Sequence, residues 1–219
     1  MNQKLVILTK ATILFFALWI GYVLILLAVP DVFNGDTLSK GSLRLAIRLV
    51  LWTIPVVYYA RATEQQSYWS FIELKTNWKR GFIGGMILLS IVLILNVLQM
   101  QITGATYSGL KSISAATWLN PIVGAPFVEE VLFRGMVFKV LDEHISTTKA
   151  VLINSALFAG IHLPYWLFSG AMSGFSLLRE LTIIFIIGMV LSIAMKKTGS
   201  LITPLMGHWT NNLFSIVIR

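Results

Sequence analysis

The sequence predicts an all-α membrane protein, a polytopic transmembrane bundle of about seven to eight spans. Its 219 residues are 57% hydrophobic and only 12% charged, whereas a soluble domain carries roughly 25% charged residues. The apolar residues form long continuous runs rather than the short alternating segments of a transmembrane β-barrel. We therefore expect an integral membrane protein whose surface faces mainly the lipid bilayer.

Roughly seven apolar runs are long enough to cross a bilayer, which takes about 17–25 residues. The first is too long for the apolar core of a signal peptide and is interpreted as an uncleaved helix. The second carries Arg44 and Arg48, which we expect to reach toward the interface. The segment around residues 107–117 is ambiguous and would supply an eighth span. The runs lie near residues 11–30, 43–60, 81–101, 118–140, 150–168, 180–195 and 201–218.

The second and third runs are joined by residues 64–80, which mix aromatic and basic side chains. This composition predicts a helix or belt at the membrane interface. The third run opens with Gly81 and Gly85, a G-x-x-x-G spacing that permits close contact between helices. Near its other end, Asn96 and Gln99 are candidates for hydrogen bonds between helices.

The net charge of +8 comes from Lys and Arg that lie mainly between the apolar runs. This placement indicates membrane topology and headgroup contact, and we expect no nucleic-acid partner. The bias of basic residues predicts a cytoplasmic N-terminus. The chain has no cysteine, which excludes thiol catalysis and Cys-based zinc sites. No linker divides it, so we predict a single domain, residues 1–219, with scaffold helices in 1–110 and a catalytic core in 118–214.

The fourth run carries three ionisable residues, Glu129, Glu130 and Arg134. A charge at the centre of a bilayer costs at least ~2.5–3.5 kcal/mol, which favours a functional site. Glu130 and Arg134 are four residues apart and share a helix face, so we predict an ion pair between them. Glu129 points elsewhere and is predicted to be the free carboxylate that transfers protons.

Histidines occur inside two later runs. Phe158 and His162 are four residues apart, as are His208 and Asn212. At a rise of ~1.5 Å per residue, these groups and the glutamates lie at compatible depths. We therefore predict that they meet in one polar cavity, whereas His144 is interpreted as an ordinary loop histidine.

Such a set suits hydrolysis of a peptide bond by activated water. Glu129 would take the proton from water, His162 would help to hold that water, and His208 with Asn212 would stabilise the oxyanion. In a metal-dependent version, His162, His208 and Glu129 would be candidate ligands of a divalent ion such as zinc. The residues leave a transporter open as well, although no internal inverted repeat supports one.

Three motifs in this order, Glu129-Glu130-x-x-x-Arg134, Phe158-x-x-x-His162 and His208-x-x-x-Asn212, resemble the CPBP family of intramembrane proteases. This family is also called the CAAX-protease and bacteriocin-processing or Abi family. The resemblance covers about residues 118–214 and implies a multi-helix membrane endopeptidase. It also implies that the first glutamate and first histidine activate water and that the last two residues form an oxyanion hole. The family is labelled metalloprotease, yet a metal-free glutamate mechanism is also argued for it, so both stay open.

The resemblance also bears on the substrate. Eukaryotic members of the family remove the last three residues of prenylated CAAX proteins. The small size suggests a prokaryotic member in the bacterial cytoplasmic membrane, where bacteriocin immunity or peptide maturation is expected. We predict a short or membrane-anchored peptide as substrate. The alternative is a non-catalytic immunity or scaffold protein that binds a peptide in the same cavity.

Overall fold

A computed structural model describes residues 2–63, 76–110 and 113–218 of the chain. Within these ranges all regular elements are helices, and the only β pairing is an isolated bridge between Tyr107 and Ile218. The predicted all-α class is confirmed. The predicted interfacial segment at residues 64–80 lies largely outside the described residues.

The described residues of the first half of the chain form three long helices and one short helix. Helix α1 begins where the side-chain oxygen of Asn2 accepts the backbone N–H of Lys4 (2.9 Å). Helix α4 ends at Gly104, whose φ of 70° is left-handed and is readily adopted because glycine has no Cβ. The helices are α1 (Gln3–Ala28), α2 (Pro30–Phe33), α3 (Leu38–Thr63) and α4 (Trp78–Thr103).

Helix α5, residues 115–144, is continuous but changes its winding twice. Two wider π-helical stretches, Trp118–Gly124 and Phe133–Phe138, interrupt the α-helical winding. Proline has no N–H to donate, and Pro121 lies inside the first stretch, where the regular ladder is already altered. Turns of this kind are frequent at functional sites. Here they bracket the α-helical segment Ala125–Leu132, which carries both glutamates.

The remaining helices follow after short turns. Helices α6 and α7 form one long rod with a break at Ile161 and His162, and Pro164 lies in the first turn of α7, a position that tolerates proline. Helix α8 ends at Gly199, which has a φ of 61°. The helices are α6 (Thr147–Gly160), α7 (Leu163–Ser169), α8 (Gly174–Thr198) and α9 (Ile202–Val217).

The helices pack around α5. Helix α1 packs on α3, α4 on α9, and α6 on α8, while α5 contacts α3, α6 and α9. The side chains of α5 are buried almost without interruption from Val128 to Leu141. In contrast, Gly81 and Gly85 are the buried residues of α4. Helix α5 is therefore the core of the bundle, and α4 lies at its edge.

The close contact of α4 with α9 depends on glycines, as the G-x-x-x-G spacing predicts. A Cβ on Gly81 would collide with Ser200, and one on Gly85 would collide with Met206. Thr203 of α9 also donates a hydrogen bond to the Gly81 carbonyl (2.9 Å). The Asn96 amide donates to the Val92 carbonyl of its own helix (2.8 Å), so the predicted bond between helices stays a prediction. The side chain of Asn96 also lines a cavity.

Five of the described helices are long and apolar enough to cross a membrane. The other two predicted runs also form helices, namely α5, which carries the charged residues, and the 16-residue α9. The helical membrane bundle is thus confirmed, and the total of seven or eight spans stays a prediction. The described part of the ambiguous segment adds no span, because Ser108 donates to the Val217 carbonyl at the end of α9. The five helices are Gln3–Ala28, Leu38–Thr63, Trp78–Thr103, Thr147–Ser169 and Gly174–Thr198.

Candidate active site

Glu130 is the centre of a buried polar network. Its Oε1 atom accepts a hydrogen bond from Arg134 Nη1 (2.9 Å) on the same helix and contacts His208 Nδ1 (2.8 Å) on α9. The ion pair predicted from the four-residue spacing is therefore present. The contact with His208 was not predicted, since it joins residues that are 78 positions apart. Glu130 thus fixes the orientation of a histidine as well as that of an arginine.

Arg134 is fully buried and connects three helices. Its Nη2 donates to the Gly188 carbonyl of α8 (3.0 Å), and its Cζ atom lies 4.4 Å from the centre of the Phe158 ring on α6. A buried cation needs such partners, because desolvation would otherwise outweigh the attraction to a single carboxylate. Phe158 therefore contributes a cation–π contact in addition to apolar packing.

His208 lies between the two glutamates of α5. An ionised carboxylate can only accept hydrogen bonds, so the contact with Glu130 places a proton on Nδ1 of His208. The other ring nitrogen, Nε2, lies 3.7 Å from Glu129 Oε2. Glu129 is 8% exposed, whereas Glu130 and Arg134 are not exposed at all. Glu130 is thus bound through Oε1 to both Arg134 and His208, whereas Glu129 has the longer contact with His208.

His162 lies at the break between α6 and α7. Its Nδ1 lies 3.2 Å from the Phe158 carbonyl. A carbonyl oxygen accepts, so this nitrogen carries the proton and Nε2 keeps a lone pair. On the opposite side of the break, Trp19 of α1 donates its indole N–H to the Ile161 carbonyl (2.7 Å). The contact of Trp19 was not predicted from the sequence. The available signal was its indole N–H, a polar group within an apolar run that needs an acceptor when it is buried.

Asn212 lies one turn beyond His208 on α9. Its Nδ2 donates to the Pro121 carbonyl (2.7 Å), which belongs to the first π-helical stretch of α5. A carboxamide has two N–H groups, so the second is free for another acceptor. The neighbouring Asn211 contacts the Asn212 Oδ1 at 3.4 Å. The altered winding of α5 therefore supplies the carbonyl that orients Asn212.

A cavity of about 900 Å³ lies between α4, α8 and α9. Phe158, His162, His208 and Asn212 all reach it, so the structure brings these predicted residues together. The rest of the wall is mainly aliphatic, with Asn96, Gln99, Arg179 and Glu180 among its polar members. Glu129 is not part of this wall and lies next to His208, at the 3.7 Å separation given above.

His144 lies apart from the site, as its interpretation as an ordinary histidine requires. It is the last residue of α5, and its Nδ1 lies 2.7 Å from the Val140 carbonyl one turn earlier. The expectation that it lies in a loop is wrong, because α5 extends to include it.

The predicted metal ligands do not form a three-ligand site. Among the described residues, no group of three His, Cys, Asp or Glu side chains is close enough together to hold a metal ion. His208 is also committed through Nδ1 to Glu130, and Glu130 to Arg134. The structure therefore does not group Glu129, His162 and His208 as ligands of one ion, the metal stays a prediction from the sequence, and we derive no step through it.

Comparison with known proteins points to one family. The sequence model of the family described as Type II CAAX prenyl endopeptidase Rce1-like matches residues 111–214. This range contains Glu129, Glu130, Arg134, Phe158, His162, His208 and Asn212. The comparison found no match among curated proteins or solved structures.

Proposed function

Since residues 111–214 belong to the Rce1-like family of type II CAAX prenyl endopeptidases, we propose that Glu129, His162, His208 and Asn212 hydrolyse a peptide bond within the membrane. Membership supports an intramembrane endopeptidase that acts on a peptide or protein substrate. The helices and the family together indicate an integral membrane protein. The convergence of His162, His208 and Asn212 on one cavity, together with the 3.7 Å separation of Glu129 from His208, carries the assignment of residues.

Water activation is assigned to Glu129 and His162. The Nε2 lone pair of His162 accepts a hydrogen bond from the water and orients it, while Glu129 accepts the proton as the oxygen attacks the carbonyl carbon. The protonated Glu129 then returns the proton to the leaving nitrogen when the C–N bond breaks. The products are a carboxylic acid and an amine, so one water is consumed and no proton is left over.

Stabilisation of the oxyanion is assigned to His208 and Asn212. Asn212 offers its second amide N–H, since the first is bound to Pro121. His208 donates through Nε2 when this nitrogen carries a proton, and the carboxylate of Glu130, 2.8 Å from Nδ1, stabilises the resulting imidazolium. Donors fixed in place before the reaction stabilise the developing charge without reorganisation.

Glu130, Arg134 and Phe158 are positioning residues in this proposal. Glu130 holds the His208 ring through Nδ1, and Arg134 holds Glu130 from the other side. The Phe158 ring lies between Arg134 and both histidines, with its centre 5.8 Å from that of His162 and 5.6 Å from that of His208. These residues hold the imidazole rings of His162 and His208 in fixed positions and do not contact the substrate's reacting atoms.

The proposed substrate is a short or membrane-anchored peptide. The cavity is large enough for several side chains, and its wall is mainly aliphatic, which favours apolar or lipid-anchored segments. We place the protein in the bacterial cytoplasmic membrane with its N-terminus in the cytoplasm, on the basis of its basic residues. A role in bacteriocin immunity or peptide maturation fits such a substrate.

Peptide hydrolysis by the purified protein in liposomes tests this proposal. A panel of quenched fluorescent peptides, including S-farnesylated and palmitoylated ones, is incubated with the parent protein and with Glu129→Gln. We expect cleavage by the parent protein and at least a ~10²-fold loss of kcat in the variant, in line with loss of a general base. Glu143→Gln is the matched control, because Glu143 is an exposed carboxylate near the end of α5.

Two outcomes would contradict the proposal. Full activity in Glu129→Gln would remove the assigned base. Binding of peptides without any cleavage, unchanged by the Glu129 and His208 substitutions, would instead support a non-catalytic immunity or scaffold protein.

Incubation with a chelator, combined with metal analysis of the purified protein, tests the metal-dependent version. We expect activity to persist, because the described residues offer no three-ligand site.

A further inference from the structure

Two side chains of α9 bind carbonyls of the first π-helical stretch of α5, Trp118–Gly124. Asn212 donates to the Pro121 carbonyl (2.7 Å), and the indole N–H of Trp209 donates to the Val123 carbonyl (3.0 Å). Trp209 and Asn212 are three residues apart, so they share a face of α9. One face of α9 is thus bound to one stretch of altered winding, and Asn212 also lines the cavity of the candidate active site.

The Pro121 carbonyl is available to Asn212 because neither of its usual backbone donors can bond to it. A carbonyl accepts the N–H four residues later in an α-helix and five residues later in a π-helix. Four residues after Pro121 is Ala125, whose N–H donates to the Asn120 carbonyl instead. Five residues after it is Pro126, which has no N–H. Pro126 therefore leaves the Pro121 carbonyl for a donor from another helix.

A freed carbonyl in a membrane helix needs such a donor, because lipid cannot hydrogen-bond to it. Here the donor is the carboxamide of Asn212, to which we assigned oxyanion stabilisation. A carbonyl can only accept, so the nitrogen end of this carboxamide must face Pro121. The contact of Asn211 Nδ2 with Asn212 Oδ1 (3.4 Å) agrees with the same orientation. The second N–H of Asn212 is thereby left for the substrate.

We propose that Pro126 and Trp209 are positioning residues that direct the Asn212 amide toward the oxyanion. The inference rests on the proposed endopeptidase function. Pro126 keeps the Pro121 carbonyl free for Asn212, and Trp209 holds the same face of α9 against α5. Neither Pro126 nor Trp209 lines the cavity, so neither contacts the reacting atoms. Without this arrangement the carboxamide turns, and its oxygen then faces the developing negative charge.

Pro126→Ala tests the inference because it returns an N–H to the helix. In the π-helical register this N–H reaches the Pro121 carbonyl and competes with Asn212. Loss of a complete oxyanion donor costs ~10²–10³ in kcat, so we expect a misdirected donor to lower kcat about tenfold, with KM unchanged. Stability is not expected to fall, because alanine is the better helix former. Pro55→Ala is the matched control, since Pro55 is a buried proline inside α3, and it keeps kcat.

A double-mutant cycle shows whether Pro126 acts through Asn212. Asn212→Ala is expected to lower kcat by ~10²-fold or more, and Pro126→Ala added to it lowers kcat no further. Residues that act independently would instead multiply their factors. Multiplied factors, or an unchanged kcat in Pro126→Ala alone, would overturn the inference while the parent protein still cleaves the peptides. Unfolding of Pro126→Ala in detergent would overturn it too, because a positioning role requires a folded variant.

Trp209→Phe is a second variant, which removes the donor to the Val123 carbonyl and keeps an aromatic ring. We expect kcat to fall by roughly two- to tenfold, the size of one hydrogen bond, with KM unchanged. Trp78→Phe is the matched control, because Trp78 is exposed at the start of α4, and it keeps kcat. Equal kcat in the two tryptophan variants would overturn the assignment of Trp209.

Binding of a phosphinate peptide gives a readout that needs no turnover. Its tetrahedral, anionic phosphinate replaces the scissile amide and resembles the intermediate of hydrolysis. Pro126→Ala is expected to weaken binding of this peptide about tenfold, whereas adding Pro126→Ala to Glu129→Gln leaves binding of the uncut peptide unchanged. Equal weakening of both would indicate a merely structural role and overturn the inference. Absence of cleavage by the parent protein would instead mark failure of the proposed function itself.

Discussion

Helices α4 and α5 are both apolar in sequence, yet the structure uses them in opposite ways. Helix α4 buries only two glycines among its residues and presents aliphatic side chains outward. Helix α5 is buried along most of its length and carries Glu129, Glu130 and Arg134 inside. The comparison teaches that hydropathy identifies membrane segments, whereas the position of charges identifies the segment that the others surround.

The charges of α5 are tolerated because neighbouring helices supply partners for both the carboxylate and the guanidinium. Glu130 contacts Arg134 and His208, and Arg134 also donates to the Gly188 carbonyl. Helix α4 buries no charged side chain, and its glycines allow close packing against α9. The predictions below test this division between a charged interior and an apolar edge.

The largest effect is expected from His162, at the break between α6 and α7. His162→Ala removes a group that orients water, so we expect kcat to fall by roughly 10²–10⁴. His144→Ala leaves kcat unchanged, because this side chain contacts the backbone of its own helix (2.7 Å). Steady-state hydrolysis of the same fluorescent peptide by both variants measures the difference. Similar losses of kcat in the two variants would show that the His162 substitution lowers activity by disturbing the fold, and not by removing the group that orients water.

The next effect concerns the buried ion pair. Arg134→Met leaves Glu130 without its cation, and we expect the free energy of unfolding to fall by roughly 3–5 kcal/mol. Arg179→Met is the control, because Arg179 pairs with Glu180 at the surface with its side chain 61% exposed. Removing a surface pair costs about 0–1 kcal/mol. Thermal unfolding in detergent compares the variants, and equal stability would argue against a structural role for Arg134.

A smaller effect is expected at the apolar edge. Gly85→Leu places a side chain against Met206 of α9, and overpacking of this kind costs roughly 1–3 kcal/mol. Gly21→Ala is the control, since nothing lies within 4 Å of a Cβ at that position. Unfolding of the two variants in detergent gives the comparison. An unchanged stability of Gly85→Leu would mean that α4 is held by other contacts.

The smallest effect is expected from Trp19→Phe, which removes one hydrogen bond to the Ile161 carbonyl. We expect a loss of about 0.5–1.5 kcal/mol in stability, together with a reduced kcat because His162 is held less firmly. Trp78→Phe is the matched control, because Trp78 is 56% exposed at the start of α4. Hydrogen exchange of the α6–α7 segment offers a direct measurement. Equal rates of amide hydrogen exchange in the two variants would show that the Trp19 hydrogen bond from α1 does not stabilise the break between α6 and α7.

The spacing of residues along the sequence predicted those contacts that depend on the geometry of a single helix. The Glu130–Arg134 pair and the close contact of Gly81 and Gly85 follow from positions four residues apart on a helix. The contacts of Glu130 with His208 and of Trp19 with Ile161 join residues 78 and 142 positions apart. No periodicity encodes such contacts, because they depend on how complete helices pack. The π-helical stretches of α5 were likewise not predicted, because residue spacing does not show where a helix changes its winding.

The order in which Glu130 acquires its partners has a consequence for biosynthesis. Arg134 lies on the same helix, so that pair forms as soon as α5 winds, and it neutralises the charge while the segment is transferred into the bilayer. His208 belongs to the last helix and leaves the ribosome 78 residues after Glu130. A nascent chain can therefore insert its charged helix early, whereas the contact between Glu130 and His208 forms only when α9 has docked. If the proposed assignment of residues is correct, hydrolytic activity also requires that α9 has docked.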